Sequence, residues 1–343
     1  MTRFIPVLLL LLMVSCAQKE ESKVFTSVDI KTVLTDSLSI RAIELMDGKS
    51  LAFAANKGAF GLLDLESEHA RVNTQLYDSV APEFRAVAHT ATDFFMLSVG
   101  NPALLYKTGD TGTMELVYKE EDDKVFYNAM TFWNNREGIA VGDSMEGCLS
   151  IIITRDGGIS WKKLACSSLP KAKEGEGAFA ASNTNIKVMG DKTWIATTTG
   201  NIYYSGDKGR SWEIISTPIL SEKSTQGIFS VDFYDEKTGF IIGGDYTDPE
   251  SNLKNKAVTF DGGKTWNLVA SGNLPDYRSC VQYIPNSEGK ELVAIGFKGI
   301  AYSHDSGENW KQLSDESFYT LRFLNDSVAY AAGANRIAKL TFK

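Results

Sequence analysis

The sequence predicts an all-β fold, a seven-bladed β-propeller of four-stranded blades whose last blade is closed by the amino-terminal strand. The first observation is a pattern, Ser/Thr-x-Asp-x-Gly-x-Ser/Thr/Asn-Trp, that occurs at 154–161, 205–212, 259–266 and 303–310. A partial copy without the tryptophan lies at 108–115. The copies are 44 to 54 residues apart, which is the length of a four-stranded blade.

A second repeated feature gives the count of seven. A short triplet, usually with an aromatic residue first, precedes the body of each repeat and predicts its first strand. The triplets are Ile40-Arg41-Ala42, Phe84-Arg85-Ala86, Tyr127-Asn128-Ala129, Phe179-Ala180-Ala181, Phe229-Ser230-Val231, Tyr277-Arg278-Ser279 and Tyr319-Thr320-Leu321. The last repeat is short, and residues 25–35 have no repeat of their own. We therefore expect the amino-terminal strand to complete the last blade and remove its open edge, so that residues 25–343 form a single domain.

The Asp-Gly pattern is explained by a tight hairpin turn. The carboxylate accepts hydrogen bonds from nearby backbone N–H groups, the glycine adopts a positive φ, and the tryptophan packs between neighbouring sheets. We therefore expect structural roles for Asp110, Asp156, Asp207, Asp261 and Asp305, and for Trp161, Trp212, Trp266 and Trp310. These segments resemble the Asp-box, or bacterial neuraminidase repeat.

Composition excludes several classes of function. A formal net charge of −8 lacks the basic face that nucleic-acid binding requires. Three histidines in 343 residues make a multi-histidine metal centre unexpected. There is no P-loop or HExxH motif, and Gly175-Glu176-Gly177 opens a strand instead of the helix of a dinucleotide site. The sequence predicts no cofactor and no metal.

The amino terminus predicts export. Residues 1–15 combine Arg3 with an apolar run too short to span a bilayer, which is typical of a signal peptide. The ending Met13-Val14-Ser15-Cys16 resembles a bacterial lipobox, which implies lipidation of Cys16; an ordinary signal peptide is the alternative. Residues 16–24 are predicted to form a charged tether, and they resemble the surface-export signal of Bacteroidetes lipoproteins. The expected location is the outer membrane, held by the lipid alone, facing outward or otherwise towards the periplasm.

Two of the remaining cysteines predict a disulfide. Cys148 and Cys166 are equally distant from the turn at Gly157, so their strands can bring them together in an oxidising compartment. Two buried free thiols are the alternative. Cys280 lies in an apolar strand and is expected in the core.

The candidate binding residues lie on the face opposite the Asp-Gly turns. Arg41, Arg85 and Arg278 occupy the same position of the triplet and are expected to converge at the channel mouth, where they could hold a carboxylate or phosphate. Asn128 shares that position, and Asp143 and Asp245 end second strands on the same face. Salt bridges from the arginines to Asp143, Asp245 or Glu83 are the structural alternative.

The resemblance to sialidases raises glycoside hydrolysis as an alternative function. Sialidases share the Asp-box and an arginine triad, and they use a tyrosine paired with a glutamate. Phe84-Arg85-Ala86-Val87 departs from their Arg-Ile-Pro motif, and no spacing compels a pair between Tyr127, Tyr246 or Tyr277 and an acid.

A closer resemblance covers essentially the whole exported chain. The strings GNPALLYKTGD, FYNAMTFWNNREGIAVGD and FSVDFYDEKTGFIIGGDYT are similar to seven-bladed lipoprotein propellers of Bacteroidetes, related to photosystem II assembly and stability factors. Those photosynthetic relatives bind their partners through an arginine-rich patch. The resemblance implies a non-enzymatic binding or scaffolding propeller whose partner is an unidentified protein or anionic glycan.

Overall fold

The computed structural model describes residues 24–109 and 113–343, and these form β-strands connected by short turns. In chain order the strands are β1 Val28–Leu45, β2 Ser50–Ala55, β3 Ala59–Asp64, β4 Ala70–Thr74, β5 Phe84–His89, β6 Phe94–Ser98, β7 Ala103–Thr108, β8 Met114–Glu120, β9 Tyr127–Phe132, β10 Gly138–Met145, β11 Cys148–Thr154, β12 Lys162–Lys163, β13 Ile186–Met189, β14 Lys192–Ala196, β15 Asn201–Ser205, β16 Glu213–Ser216, β17 Gln226–Phe233, β18 Gly239–Asp245, β19 Lys256–Thr259, β20 Asn267–Leu268, β21 Cys280–Tyr283, β22 Leu292–Gly296, β23 Gly299–Ser303, β24 Lys311–Ser314, β25 Thr320–Phe323 and β26 Val328–Phe342. A 3-10 turn lies at Cys166–Ser168. Among the described residues, no helix has the length and apolar character needed to cross a membrane.

The strands form six antiparallel sheets, the blades of a β-propeller. Five are four-stranded, in the orders β5-β6-β7-β8, β12-β11-β10-β9, β13-β14-β15-β16, β17-β18-β19-β20 and β21-β22-β23-β24. The sixth is six-stranded, in the order β25-β26-β1-β2-β3-β4.

The prediction of seven separate four-stranded blades is therefore wrong. Strand β1 is 18 residues long and runs from the predicted last blade into the predicted first blade. Strand β26 is 15 residues long and pairs with β25 through its first half and with β1 through its second half. The first half of β1 pairs with β26 from Val28 opposite Phe342 to Thr35 opposite Arg336. After a register shift, β1 pairs with β2 from Ile40 opposite Ala55. Because β1 is continuous, the predicted first and last blades are one sheet.

The core lies between successive sheets. The innermost strands β1, β5, β9, β13, β17, β21 and β25 contact one another in a closed ring around a central channel. Each pair of neighbouring sheets encloses a buried apolar cluster, such as the one that joins Trp194 of β14 to Phe233 of β17 with ring centroids 3.8 Å apart. The six-stranded sheet folds over itself and encloses a further cluster, with Phe53 on one half and Tyr330 on the other. Burial of alternate strand residues between the sheets is the main stabilisation of the ring.

The four complete Asp-Gly turns share one hydrogen-bond pattern. In the turn at 205–212, Asp207 Oδ1 accepts from Ser205 Oγ at 2.9 Å and from the Ser211 backbone N–H at 2.9 Å, and Ser211 Oγ donates to Asp207 Oδ2 at 2.6 Å. Trp212 Nε1 donates to the carbonyl of Gly209 at 3.2 Å. The same carboxylate contacts recur at Asp156, Asp261 and Asp305. Asp110 lies outside the described residues, as do Cys16 and residues 1–23.

Cys148 and Cys166 form a disulfide with their Cα atoms 5.5 Å apart. The bridge ties the start of β11 to the 3-10 turn that follows β12. Cys280 is a buried free thiol in the first strand of its sheet.

Replacement of Asp207 by alanine should lower the free energy of unfolding by about 1–3 kcal/mol, because it leaves several donors of the turn without an acceptor. Although burial acts to raise it, hydrogen bonds from Ser211 hold the pKa of Asp207 below its usual value. The Asp207 contribution should thus be complete above about pH 4 and decline as the pH falls further. Urea denaturation at several pH values measures this. Asp326→Ala, in the exposed turn between β25 and β26, is the control, and an equal loss in both variants would contradict the assignment.

Removal of the bridge by Cys166→Ser should lower the free energy of unfolding by about 3 kcal/mol, since it releases an 18-residue span of the unfolded chain. Equilibrium denaturation of oxidised wild type and variant measures the loss. Non-reducing peptide mapping of the wild type is the accompanying measurement, and recovery of Cys148 and Cys166 as free thiols would show that the bridge does not form.

Candidate functional site at the channel mouth

Four of the six predicted binding residues lie on the innermost strands or just before one. Arg41 is in β1, Arg85 in β5 and Asn128 in β9, while Arg278 lies two residues before β21. Asp143 and Asp245 are on β10 and β18, the second strands of their sheets. Because second strands run antiparallel to first strands, all six residues are at the same end of the channel.

Arg41 is a partly buried cation without an anion. Its guanidinium carbon lies 4.1 Å from the centroid of the Tyr319 ring, a cation–π contact. Its Nε is buried and has no hydrogen-bond partner, and within the described residues Arg41 makes no ion pair. Burial lowers the pKa of Arg41, and the charge of Arg85 lowers it further. Two guanidinium groups thus lie close together at the mouth.

Arg85 is anchored by a neighbouring acid. Its Nε donates to Glu83 Oε1 at 2.7 Å, and its Nη2 donates to the same oxygen. The side chain remains 27% exposed and that of Glu83 45% exposed. Arg85 therefore keeps N–H groups available to solvent or to a ligand.

Arg278 does not reach the mouth. Its side chain is fully buried, forms an ion pair with Asp276, and donates at 2.8 Å to the Tyr277 carbonyl and at 2.8 Å to Gln312 Oε1. These contacts direct the guanidinium into its own sheet. The expected group of three arginines is therefore a pair, Arg41 and Arg85.

The predicted acids have partners of their own. Asp143 Oδ1 accepts from Asn128 Nδ2 at 2.8 Å and from the Ala178 N–H at 3.2 Å. Asp245 is buried, accepts from the Thr247 hydroxyl at 2.6 Å, and forms an ion pair with Lys223 at 3.0 Å. Of the alternative salt bridges considered from the sequence, the structure contains only that of Arg85 with Glu83 among the described residues.

An aromatic wall continues the mouth beyond the arginines. The rings of Phe179 and Phe229 stack with centroids 3.6 Å apart, and Tyr277 meets Phe229 edge to face at 4.8 Å. Tyr246 and Phe297 border this cluster and are 48% and 38% exposed. The aromatic residues of the triplets predict strand starts alone, although their recurrence at equivalent positions of the ring also indicates a shared surface.

A plug formed by residues 182–185 crosses the channel beneath the mouth. Asn183 donates to the carbonyl of Val87 at 2.8 Å and accepts from the Met130 N–H at 3.0 Å, on the β5 and β9 side. Ser182 donates to the Ser279 carbonyl at 2.7 Å, and the Ser182 carbonyl accepts from Thr320 Oγ1 at 2.9 Å, on the opposite side. The sheet of β13 to β16 begins only at Ile186. The predicted strand start at Phe179-Ala180-Ala181 is therefore wrong. The plug separates the two ends of the channel.

Tyrosine–glutamate pairs exist. Their tyrosines are buried at Tyr203, Tyr127 and Tyr302, and half-buried at Tyr118, which shares Glu120 with Tyr127. Tyr203 donates to Glu176 Oε2 at 3.0 Å and Tyr127 to Glu120 Oε2 at 2.7 Å. Glu176 also accepts from Thr197, Thr199 and Asn201. Burial raises the pKa of Tyr203 and of Tyr127, which keeps both phenols protonated.

Comparisons with known proteins identify the fold and no family. No family model matches the chain, and no curated protein matches it. Among solved structures it is similar to "YCF48 bound to D1 peptide", with 14% identity, a TM-score of 0.66, and coverage of 93% of this chain and 98% of that one. YCF48 from Cyanidioschyzon merolae aligns at 12% identity and a TM-score of 0.63 over 92% of this chain and 98% of that one. Virginiamycin B lyase from Staphylococcus aureus aligns at 10% identity and a TM-score of 0.67 over 92% and 99%. At these identities the likeness shows a shared β-propeller fold.

Replacement of Asp143 and Asp245 by asparagine should change stability in opposite directions. Burial raises the pKa of Asp143, so its ionised form opposes folding above the ordinary pKa of aspartate, and Asp143→Asn should raise the free energy of unfolding at pH 7. Burial also acts to raise the pKa of Asp245, but hydrogen bonds from Thr247 and Lys223 hold it well below its usual value, so Asp245→Asn should lower stability at pH 7. Both differences should shrink towards pH 3. Chemical denaturation at pH 7 and pH 3 measures them, and changes of the same sign would contradict this assignment.

Proposed function

We propose that the protein is a non-enzymatic binding propeller that recognises an anionic group at the channel mouth through Arg41 and Arg85. The observation that carries the proposal is the partly buried Arg41 guanidinium, which lies beside a second cation and forms no ion pair among the described residues. A ligand carboxylate between the two would supply the missing acceptor and reduce their repulsion. Tyr319 holds the Arg41 guanidinium in place for such a contact.

The aromatic wall favours an anionic segment of a protein over an anionic glycan. Tyr246 and Phe297 offer exposed rings beside the arginines, and such rings pack well against apolar peptide side chains. The ligand that fits both features has a carboxylate next to an apolar side chain. The solved structure "YCF48 bound to D1 peptide" shares the fold, and this supports a peptide ligand for the present chain.

The proposed setting is the outer membrane of a Bacteroidetes-type cell, with the chain anchored by a lipid on Cys16. The export signal, the lipobox-like ending and the charged tether support it. The Asp-box character of the four turns and the resemblance to Bacteroidetes lipoprotein propellers belong to the same proposal. A surface-exposed propeller on a tether would present its channel mouth to extracellular partners.

The alternative of a sialidase-like hydrolase has less support. Its nucleophile would need to be a tyrosine at the arginines with a glutamate in hydrogen-bond contact. Tyr277, whose hydroxyl is close enough to Arg41 to affect its pKa, has its own pKa raised by burial and makes no side-chain hydrogen bond to a carboxylate among the described residues. The Tyr203 and Glu176 pair is fully buried.

Binding of acidic peptides and anionic glycans should depend on the two arginines. We expect a peptide with a terminal carboxylate beside an apolar residue to bind, and expect Arg41→Met and Arg85→Ala each to weaken it about tenfold or more. A peptide array and a glycan array probed with the exported chain, followed by calorimetry, measure this. Arg71→Ala, on an outer strand, is the matched control.

Three outcomes decide between the candidates. Binding that is lost in both arginine variants and kept in Arg71→Ala supports the proposal. Binding that is unchanged in Arg41→Met and Arg85→Ala contradicts it. Turnover of a fluorogenic sialoside or uronide that Arg85→Ala abolishes would establish the hydrolase instead.

A further inference from the structure

A second cavity opens at the other end of the channel. It has a volume of about 560 Å³, and Asn183 and Thr184 of the plug form part of its wall. Asn134 and Asn135, in the turn after β9, lie at its rim, and the same turn accepts the Gly157 N–H at 2.8 Å through the Arg136 carbonyl. This cavity, which we call the lower cup, is therefore on the face of the Asp-Gly turns. It is separate from the arginine mouth.

One wall of the lower cup carries a row of three ionisable side chains from three neighbouring inner strands. Glu44 near the end of β1 lies between Arg322 of β25 and His89 at the end of β5. Arg322 Nε is 3.5 Å from Glu44 Oε2, and His89 Nδ1 is 3.4 Å from Glu44 Oε1. The Glu44 carboxylate raises the pKa of His89.

The opposite wall carries a second ion pair. Lys187 Nζ of β13 lies 2.6 Å from Asp232 Oδ1 of β17. Asp232 Oδ2 accepts from the Tyr283 N–H at 2.8 Å, which fixes the carboxylate at the end of its strand. Both walls therefore present carboxylates and cations that are already paired within the protein.

Several hydrogen-bonding groups of the cup remain available. Gln282 Oε1 accepts from the Phe323 N–H at 3.2 Å, while its Nε2 has no partner among the described residues. Arg322 donates through Nε to Glu44, and through Nη1 to the Thr320 hydroxyl and the Leu321 carbonyl. Its Nη2 makes no hydrogen bond among the described residues. The Thr131 hydroxyl, which lines the cup, likewise makes no hydrogen bond within the described residues. These donors lie beside carboxylate oxygens that retain lone pairs.

We infer that the lower cup binds a neutral polyhydroxylated ligand, a saccharide unit of one or two rings. A hydroxyl donates and accepts at once, so it fits between the free amide or guanidinium N–H groups and the neighbouring carboxylates without disturbing the ion pairs. Met46 and Phe132 provide apolar contact for the C–H face of a sugar ring. The volume is within the range of about 300–1,000 Å³ typical of small-molecule sites.

An ionic ligand fits the cup less well. Glu44 and Asp232 oppose Arg322 and Lys187, so each strong charge has an opposite partner in the protein. A ligand carboxylate or ammonium would have to displace one of these pairs and leave a partly buried protein charge without its partner, which is costly. Arg41 at the mouth has no such ion pair among the described residues. The two ends of the channel therefore suit different ligands, an anion at the mouth and a neutral ligand in the cup.

Calorimetric titration of the exported chain tests the inference. The probes are glucose, galactose, mannose, N-acetylglucosamine, maltose and cellobiose, with galacturonate, glutamate and citrate as ionic comparisons. We expect at least one neutral saccharide to bind, and expect Gln282→Glu to weaken it about tenfold, because the variant keeps the oxygen that bonds Phe323 and loses the free donor. Thr131→Val is a second, nearly isosteric variant that should also weaken it.

Gln75→Glu makes the same chemical change outside the cup and should leave saccharide binding unaltered. Absence of binding by all six saccharides, or binding insensitive to both Gln282→Glu and Thr131→Val, would overturn the inference. Binding of the ionic probes alone would overturn the assigned ligand class. Because the inference does not rest on the arginine mouth, loss of saccharide binding in Arg85→Ala with no effect of the cup variants would also overturn it.

Discussion

The pairing of β1 with β26 is the constraint on which the rest of the structure depends. A ring of sheets buries its cores only if its two ends are joined, and here β1 and β26 join them by pairing from Val28 opposite Phe342 to Ser39 opposite Ala334. Both ends of the channel are built on this junction. The Arg41 contact with Tyr319 joins β1 to the start of β25 at the mouth, and the Glu44 contact with Arg322 joins the same two strands in the lower cup. Opening the junction would dismantle both sites together.

The plug gives the two ends of the channel separate chemistries. Its hydrogen bonds reach β5 and β9 through Asn183 and the opposite strands through Ser182, so it braces the ring across its diameter. Asn183 adopts a positive φ of 59°, a conformation that asparagine tolerates better than most residues, and this directs its amide to both strands. The polar crossing is stabilised because the hydroxyls of Ser182 and Thr184 and the amide of Asn183 have hydrogen-bond partners. Asn185 Oδ1 is buried without one among the described residues.

The sequence predicted the features that repeat and missed those that occur once. The Asp207 type of turn was predictable because local hydrogen bonds and a glycine define it, and it recurs. The sheet count was wrong because hydrogen-bond continuity through β1 and β26 depends on tertiary pairing, which a repeat count does not contain. Arg278 shares its triplet position with Arg41 and Arg85, yet Asp276, two residues away, holds it within the sheet. The plug replaces a predicted strand start and has no counterpart in the other repeats from which to predict it.

In this protein, the presence or absence of a carboxylate partner distinguishes arginines with a structural role from an arginine with a proposed binding role. Arg278 and Arg322 have carboxylate partners that offset the cost of their burial, so their charges are satisfied before any ligand arrives. Arg85 has Glu83. Of these four arginines, only Arg41 contacts an aromatic ring and forms no ion pair among the described residues. A partly buried cation next to another cation opposes folding, and the intersheet cores must offset that cost. An anion bound at Arg41 would recover part of this free energy, and for that reason binding at the mouth should also stabilise the β1 and β25 junction.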